Sequence, residues 1–113
     1  MSNDTTILTN LATLQTEHAA WLIDRFGHHG DRLPDMTFAG IVEEVGELAR
    51  HHLKREQKTH GSEAEHDAGA RDAIGDIVVF LCGYCTSRGW NISEIVEAVW
   101  ADVKTRAYEV THG

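Results

Sequence analysis

The chain has 113 residues, of which 42% are apolar and 25% charged, and a formal net charge of −8. This balance is typical of one globular domain, which we assign to residues 1–113, and the acidity argues against a surface that binds duplex nucleic acid. No apolar run approaches the roughly 20 residues needed to cross a bilayer, and the N-terminus lacks the basic start and apolar stretch of a signal peptide. We therefore expect a cytoplasmic protein with no membrane partner.

Four segments show helical periodicity, and none shows the alternation of a strand. The first helix is predicted over Thr5–Phe26 and ends where two glycines and Pro34 break the pattern. The second is predicted over Thr37–Glu56, with Asp35 or Thr37 as its N-cap. Its apolar residues follow the i, i+3, i+4, i+7 rule, so one face is expected to be buried.

The polar stretch QKTHGSEAEHD is predicted to form a loop between the second and third helices. The third helix is predicted over Ala68–Ser87, with Gly89 in a left-handed conformation beyond its end. Asn91 is predicted to begin the fourth helix, and Glu94 three residues later resembles the second half of a capping box.

Four helices with short connections predict an all-α four-helix bundle. The third helix is apolar nearly all round between Ile77 and Cys85, which is typical of a helix enclosed by others. One chain covers such a helix poorly, so we expect a homodimer or a dimer of dimers, that is, a homotetramer. Cys82 and Cys85 have the spacing of a redox or half-zinc motif, but core packing is favoured because no second cysteine pair completes a zinc site.

Acidic residues occur in helices that should be buried. In EEVGE, at 100° per residue, Glu43, Glu44 and Glu47 form one ridge beside the apolar arc of the second helix. Like charges at these spacings repel one another, and an apolar wall screens the repulsion poorly. A hard divalent cation such as Mg²⁺ or Mn²⁺ would offset it. The alternative is a solvated acidic face.

The third helix adds two further acids, Asp72 and Asp76, which are i, i+4 and share a face. Asp76 enters the apolar run itself, although aspartate is a poor helix former and is rarely a core residue. Two helices that each carry acids at the edge of the core can face one another and build one cation cluster.

The succession of EEVGELA and AIGD resembles the MazG-like all-α nucleoside triphosphate pyrophosphohydrolases, whose signature is EExxE on one helix and ExxD on the next. The resemblance covers about Leu14 to Arg106, and the first motif matches fully. In the second motif, Ala73 stands where the family usually has Glu. The resemblance implies hydrolysis of a (deoxy)nucleoside triphosphate to the monophosphate and pyrophosphate, with two or more Mg²⁺ or Mn²⁺ ions per site, in nucleotide-pool control. Among bases we favour a purine, (d)GTP, although no residue decides it.

The resemblance also assigns roles by position. Glu43 and Glu44 would be catalytic, with Glu43 a ligand or the base that orients water. The metal ligands would be Glu44, Glu47 and Asp76, with Asp72 and Asp102 in place of the missing carboxylate. Cations that could bind the phosphates are Lys54, Arg55, Lys104 and Arg106, and residues of the first helix that could bind the base are Gln15, His18 and Trp21. A core or interface role is the alternative for Trp21.

Two other functions are alternatives to this one. A ferritin-like di-iron bundle needs Glu-x-x-His pairs on core-facing helices, and the match Glu63-x-x-His66 falls in the predicted loop. A non-enzymatic helical module that binds metal or protein would explain the apolar third helix but not Asp76. The neighbouring histidines His51 and His52 are predicted to lie at the surface.

Overall fold

The computed structural model describes residues 10–27 and 34–112, with side chains described for 10–27 and 35–106, and apart from the helix ends and short connections these residues are helical. The helices are α1 (Leu11–Phe26), α2 (Pro34–Gln57), α3 (Glu63–Arg88) and α4 (Ile92–His112). The predicted all-α class is therefore confirmed. Over the same residues, no helix is both long and apolar enough to span a bilayer.

Local side-chain chemistry sets several helix ends where the sequence predicts them, but α2 begins at Pro34, so the predicted N-caps Asp35 and Thr37 lie inside the helix. The Asn91 side chain accepts a hydrogen bond from the Glu94 N–H at 3.0 Å and so begins α4. Gly89 takes the left-handed conformation (φ 73°) that ends α3. At the start of α1, Asn10 is extended and caps the helix through the Thr13 N–H at 2.8 Å, so the helix begins at residue 11. The predicted residues 5–9 lie outside the described part of the chain.

The third helix begins five residues earlier than predicted, and the loop predicted over residues 63–67 is wrong. Ser62 and Glu65 form a reciprocal capping box, in which each side chain accepts a hydrogen bond from the other residue's backbone N–H. The polar composition of this turn hid the motif. As a result His66 lies within α3, where it is only 3% exposed.

Helices α2 and α3 form an antiparallel hairpin whose register is fixed by close contacts along its length. Near the start of α2, the Phe80 ring fills the space beside Gly40, where an added Cβ would lie 2.9 Å from ring carbons. Near the end of α2, Arg55 donates a hydrogen bond to Asp67 at 2.6 Å. Between these two points the facing residues of the two helices are determined by the helical repeat.

Helix α3 is the centre of the fold. It packs against α2, α1 and α4, and α1 also contacts α4, whereas no described Cα atom of α2 lies within 8 Å of one in α1 or α4. One chain therefore forms an open bundle. The core contains Cys82, Cys85 and Ile92, with Leu11 and Leu14 of α1 against it, so the prediction that both cysteines pack in the core is confirmed.

The apolar residues that one chain leaves uncovered lie mainly on α2 and α4. The expectation that the Ile77–Cys85 run of α3 would be poorly covered is met only in part, because α3 supplies most of the buried residues while Val79 and Leu81 of the run stay 37% exposed. Large apolar side chains that stay exposed include Phe38, Val42, Val45 and Leu53 on α2 and Val96, Val99 and Trp100 on α4. Exposed apolar stripes of this extent are typical of surfaces that contact another protein.

Gln15 joins α1 to the junction of α3 and α4 through every polar group of its side chain. Its Nε2 donates to the Trp90 carbonyl at 2.8 Å and to the Thr86 hydroxyl at 3.1 Å. Its Oε1 accepts from the Ile92 N–H at 2.8 Å, which is one of the first N–H groups of α4 and has no partner within the helix. The side chain thus caps α4 from another helix.

We expect Gln15→Leu to lower the free energy of unfolding by about 1–3 kcal/mol, because a part-buried N–H and a carbonyl lose their partner while side-chain volume is kept. Urea denaturation followed by circular dichroism measures the change. Gln57→Leu, at the exposed end of α2, is the matched control. Equal losses in the two variants would contradict the capping role.

Candidate functional site

The acids of the two motifs meet at the middle of the α2–α3 hairpin. Glu44 follows Gly40 by one helical turn, and Asp76 precedes Phe80 by one turn, so the antiparallel register sets the two acids opposite each other. Both are half-buried. The site is therefore built by two helices rather than by the EEVGE segment alone.

Glu44 is the residue on which the acidic charges converge. Partial burial raises its pKa above the ordinary value, and the charges of Asp76, Glu43, Glu47 and Asp72 raise it further, in that order of importance. Of the three acids in EEVGE, Glu44 is half-buried, whereas Glu43 and Glu47 are exposed.

The residue that replaces the Glu of the ExxD motif is buried. Ala73 is 2% exposed within the α2–α3 hairpin, so it adds packing rather than charge. Its neighbour Asp72 is exposed, and its negative charge contributes to the raised pKa of Glu44. Asp102 is not brought to this cluster, because it pairs with Arg106 at 3.0 Å on α4, and α4 does not approach α2.

A divalent cation that takes most of its ligands from elsewhere fits this donor set. In the described part of the chain, no three His, Cys, Asp or Glu side chains lie close enough to hold a metal ion by themselves. Mg²⁺ is commonly held by only one or two carboxylates, with substrate phosphates and water as its other ligands. Glu44 and Asp76 supply two carboxylates, and every acidic neighbour of Glu44 makes its negative charge more costly, which a cation would reverse.

The cations predicted to bind phosphate lie away from Glu44. Arg55 is held by Asp67 at 2.6 Å, Glu63 at 3.5 Å and Glu56 at 3.4 Å, and these contacts raise its pKa further. Lys54, half-buried beside it, lies about 15 Å from Glu44 along the helix axis. On α4, the Lys104 Nζ lies 5.7 Å from the centroid of the Trp100 ring. Arg106 is paired with Asp102.

Two of the three residues predicted to bind the base form an aromatic pair on α1. The rings of His18 and Trp21 stack with centroids 6.1 Å apart and an interplanar angle of 18°. Burial lowers the pKa of His18, and its buried Nδ1 has no hydrogen-bond partner among the described residues. Trp21 is 47% exposed. Gln15 is engaged at the α3–α4 junction instead.

A groove of ≈ 440 Å³ lies beside Gln15, between α1 and the α3–α4 junction. It contains none of the predicted acids and none of the predicted phosphate ligands. Its lining consists of small, polar and aromatic side chains, namely Ala12, Gln15, Thr16, Ala19, Thr86, Gly89, Trp90 and Asn91.

Sequence reasoning missed one pair of side chains altogether. His51 of α2 and His66 of α3 lie with their Nδ1 atoms 3.1 Å apart. His51 was predicted to be a surface residue, and His66 was assigned to a loop. The Ser62 capping box was the available signal, since it places His66 one turn into a helix.

Compared with protein-family models, curated proteins and solved structures, the chain matches none of them. The MazG-like resemblance therefore rests on the two acidic motifs and stays a prediction. The arrangement of those motifs around Glu44 is an independent property of the structure.

The raised pKa of Glu44 predicts a stabilising effect of Glu44→Gln when no metal is present. Because the folded-state pKa lies above the unfolded one, the ionised carboxylate favours unfolding, and stability is lost as pH rises through the folded pKa. We expect the variant to melt above the parent at pH 8 in EDTA, and the difference to vanish near pH 4. Thermal melts at both pH values test this. Glu17→Gln, exposed on α1, should show no such difference.

Proposed function

We propose that the chain is a Mg²⁺-dependent nucleoside triphosphate pyrophosphohydrolase of the MazG-like type, which releases a monophosphate and pyrophosphate and acts in nucleotide-pool control. The observation that carries the proposal is the convergence of acids from both motifs on the half-buried Glu44. A structural role alone does not account for it, since the acids destabilise one another. Among substrates we keep the purine (d)GTP as first choice, and Mn²⁺ as an alternative ion.

The chain's own residues would divide the work as follows. Glu44 and Asp76 would hold the cation from opposite helices, with Glu47 and Asp72 completing its surroundings. Glu43, exposed and next to Glu44, would orient the attacking water toward the α-phosphorus. Bound Mg²⁺ would neutralise phosphate charge and lower the pKa of a water ligand.

Phosphate and base recognition are less complete within one chain. Lys54 remains our candidate for a phosphate, whereas Arg55, Lys104 and Arg106 would have to leave their present partners. His18 and Trp21 offer a stacking surface for a base, but His18 lies near α2 only at Thr37, where both side chains lie against Gly83 of α3, seven residues before Glu44. A second copy is therefore proposed to bring these parts together.

The partner we propose is a second copy of the chain, as a homodimer or a homotetramer. The exposed stripe Phe38, Val42, Val45 and Leu53 lies on α2, whose Cα atoms come within 8 Å of those of α3 alone among the described helices. Covering it would bury apolar area that one chain leaves in water. The alternative, a non-enzymatic interaction module, would use the same stripe but leaves the acids around Glu44 unexplained.

Turnover decides between an enzyme and a module. We expect a panel of (d)NTPs with Mg²⁺ or Mn²⁺ to yield monophosphate and pyrophosphate, and Glu44→Gln and Asp76→Asn each to cut kcat by at least about a hundredfold, because the cation and its activated water are lost. Ion chromatography separates the products. Glu17→Gln is the matched control. Orthophosphate with a nucleoside diphosphate, or normal turnover in both variants, would refute the assignment.

Self-association is tested separately. We expect sedimentation velocity at micromolar concentration to give a dimer or tetramer. Val42→Lys should shift it toward monomer, because a charge in an apolar interface is costly to desolvate. Thr13→Lys, on the exposed side of α1, adds the same charge elsewhere and should leave the mass unchanged. A parent protein that sediments as a monomer would contradict the proposed partner.

A further inference from the structure

Two imidazoles meet across the α2–α3 hairpin at a place that the acidic cluster does not use. The Nδ1 atoms of His51 and His66 are 3.1 Å apart, and the ring centroids are 5.4 Å apart with an interplanar angle of 52°. His51 follows Glu44 by seven residues, which is about 10 Å along the helix. The pair therefore has its own surroundings.

The hydrogen bonds of His66 fix which nitrogen is available. Its Nε2 lies 2.9 Å from the backbone carbonyl of Thr59. A carbonyl only accepts, so Nε2 carries the hydrogen and the Nδ1 of the neutral ring is a bare lone pair directed at His51. Histidines that bind metals have this arrangement, in which the other ring N–H is donated to a carbonyl or carboxylate that holds the ring in place.

The backbone around the pair is shaped to admit both rings. A Cβ at Gly69 would overlap the His51 ring, so the glycine makes room for the imidazole against α3. The turn that presents the Thr59 carbonyl has two non-glycine residues at positive φ, Lys58 at 59° and His60 at 58°. The Thr59 N–H is itself bonded to the Lys54 carbonyl at 3.1 Å.

We propose that His51 and His66 form a binding site for a borderline divalent transition metal, of which Zn²⁺ is the representative, and that the ion joins α2 to α3. At 2.0–2.1 Å from each nitrogen, a tetrahedral ion places its two imidazole ligands about 3.3 Å apart, which is a few tenths of an ångström from the observed separation. Imidazole suits zinc, cobalt and nickel, whereas Mg²⁺ prefers oxygen.

The charges nearby favour a dication. One turn along α2, Arg55 is already paired with Asp67, Glu63 and Glu56, so its positive charge is offset by these acids. Glu65, beside His66, is ionised well below neutral pH, because hydrogen bonds from Ser62 lower its pKa. Since no third His, Cys, Asp or Glu completes the set among the described side chains, water fills the remaining positions. Affinity should be that of a two-ligand site.

The test uses ZnCl₂ on the full chain with excess Mg²⁺ present, so that carboxylate sites are occupied. We expect calorimetry to show one zinc per chain, a melting temperature that rises with zinc and falls back with EDTA, and at least a tenfold loss of affinity in His51→Ala. His52→Ala, the exposed neighbour, is the matched control and should bind as the parent does. Circular dichroism without metal confirms that both variants are folded.

A second measurement needs no variant. In the ¹⁵N spectrum of the parent's histidine rings, zinc should shift the Nδ1 signals of His51 and His66 while the His66 Nε2 keeps its hydrogen. No stoichiometric binding, or equal binding by His51→Ala and His52→Ala, would show that the pair is a hydrogen bond only and overturn the site. The proposed release of pyrophosphate depends on Glu44 and Asp76. Whether or not pyrophosphate is released, the zinc-binding result therefore stands by itself.

Discussion

The packing of α2 against α3 determines which polar side chains of this protein can meet. It is fixed at two points, where Phe80 lies against Gly40 and where His51 lies against Gly69, because in each case a ring occupies the space that a Cβ would fill. Between these two contacts, the register determines that Glu44 and Asp76 face each other. A shift of one residue would turn each helix by 100° and carry Glu44 away from α3.

This packing destabilises the ionised carboxylates that it brings together. Close packing of the hairpin removes water from Glu44, and the charges of four acidic neighbours raise its pKa further. The fold tolerates the cost because the interface is held elsewhere, by Ala73 and by the ion pair of Arg55 with Asp67. If the proposed cation binds there, the site is electrostatically unfavourable in its absence, which is a common compromise between stability and function.

The sequence predicts the helices better than it predicts which helices pack against one another. Caps such as Asn91 and periodic apolar residues act locally, so the ends of the first three helices and the start of α4 could be placed to within one residue. The start of α2 was missed by three residues, and that of α3 by five because its first turn is polar. The convergence of the two acidic motifs was also predictable, since both lie at core edges. Periodicity does not say which helices touch, however. Asp102 and Arg106 were therefore grouped with acids on α2, although α4 never approaches that helix.

The same limitation explains why the histidine pair could not be predicted from the sequence. Nothing in the order of residues joins His51 to His66; the α2–α3 register does, as it joins Glu44 to Asp76. One hairpin thus presents oxygen donors at its middle and nitrogen donors two turns further on, and ligand chemistry alone would direct a hard and a borderline cation to different places. Because both sites depend on one register, a substitution that changes the packing, such as Gly69→Ala, should disturb the two together. A change confined to one donor side chain should affect only its own site.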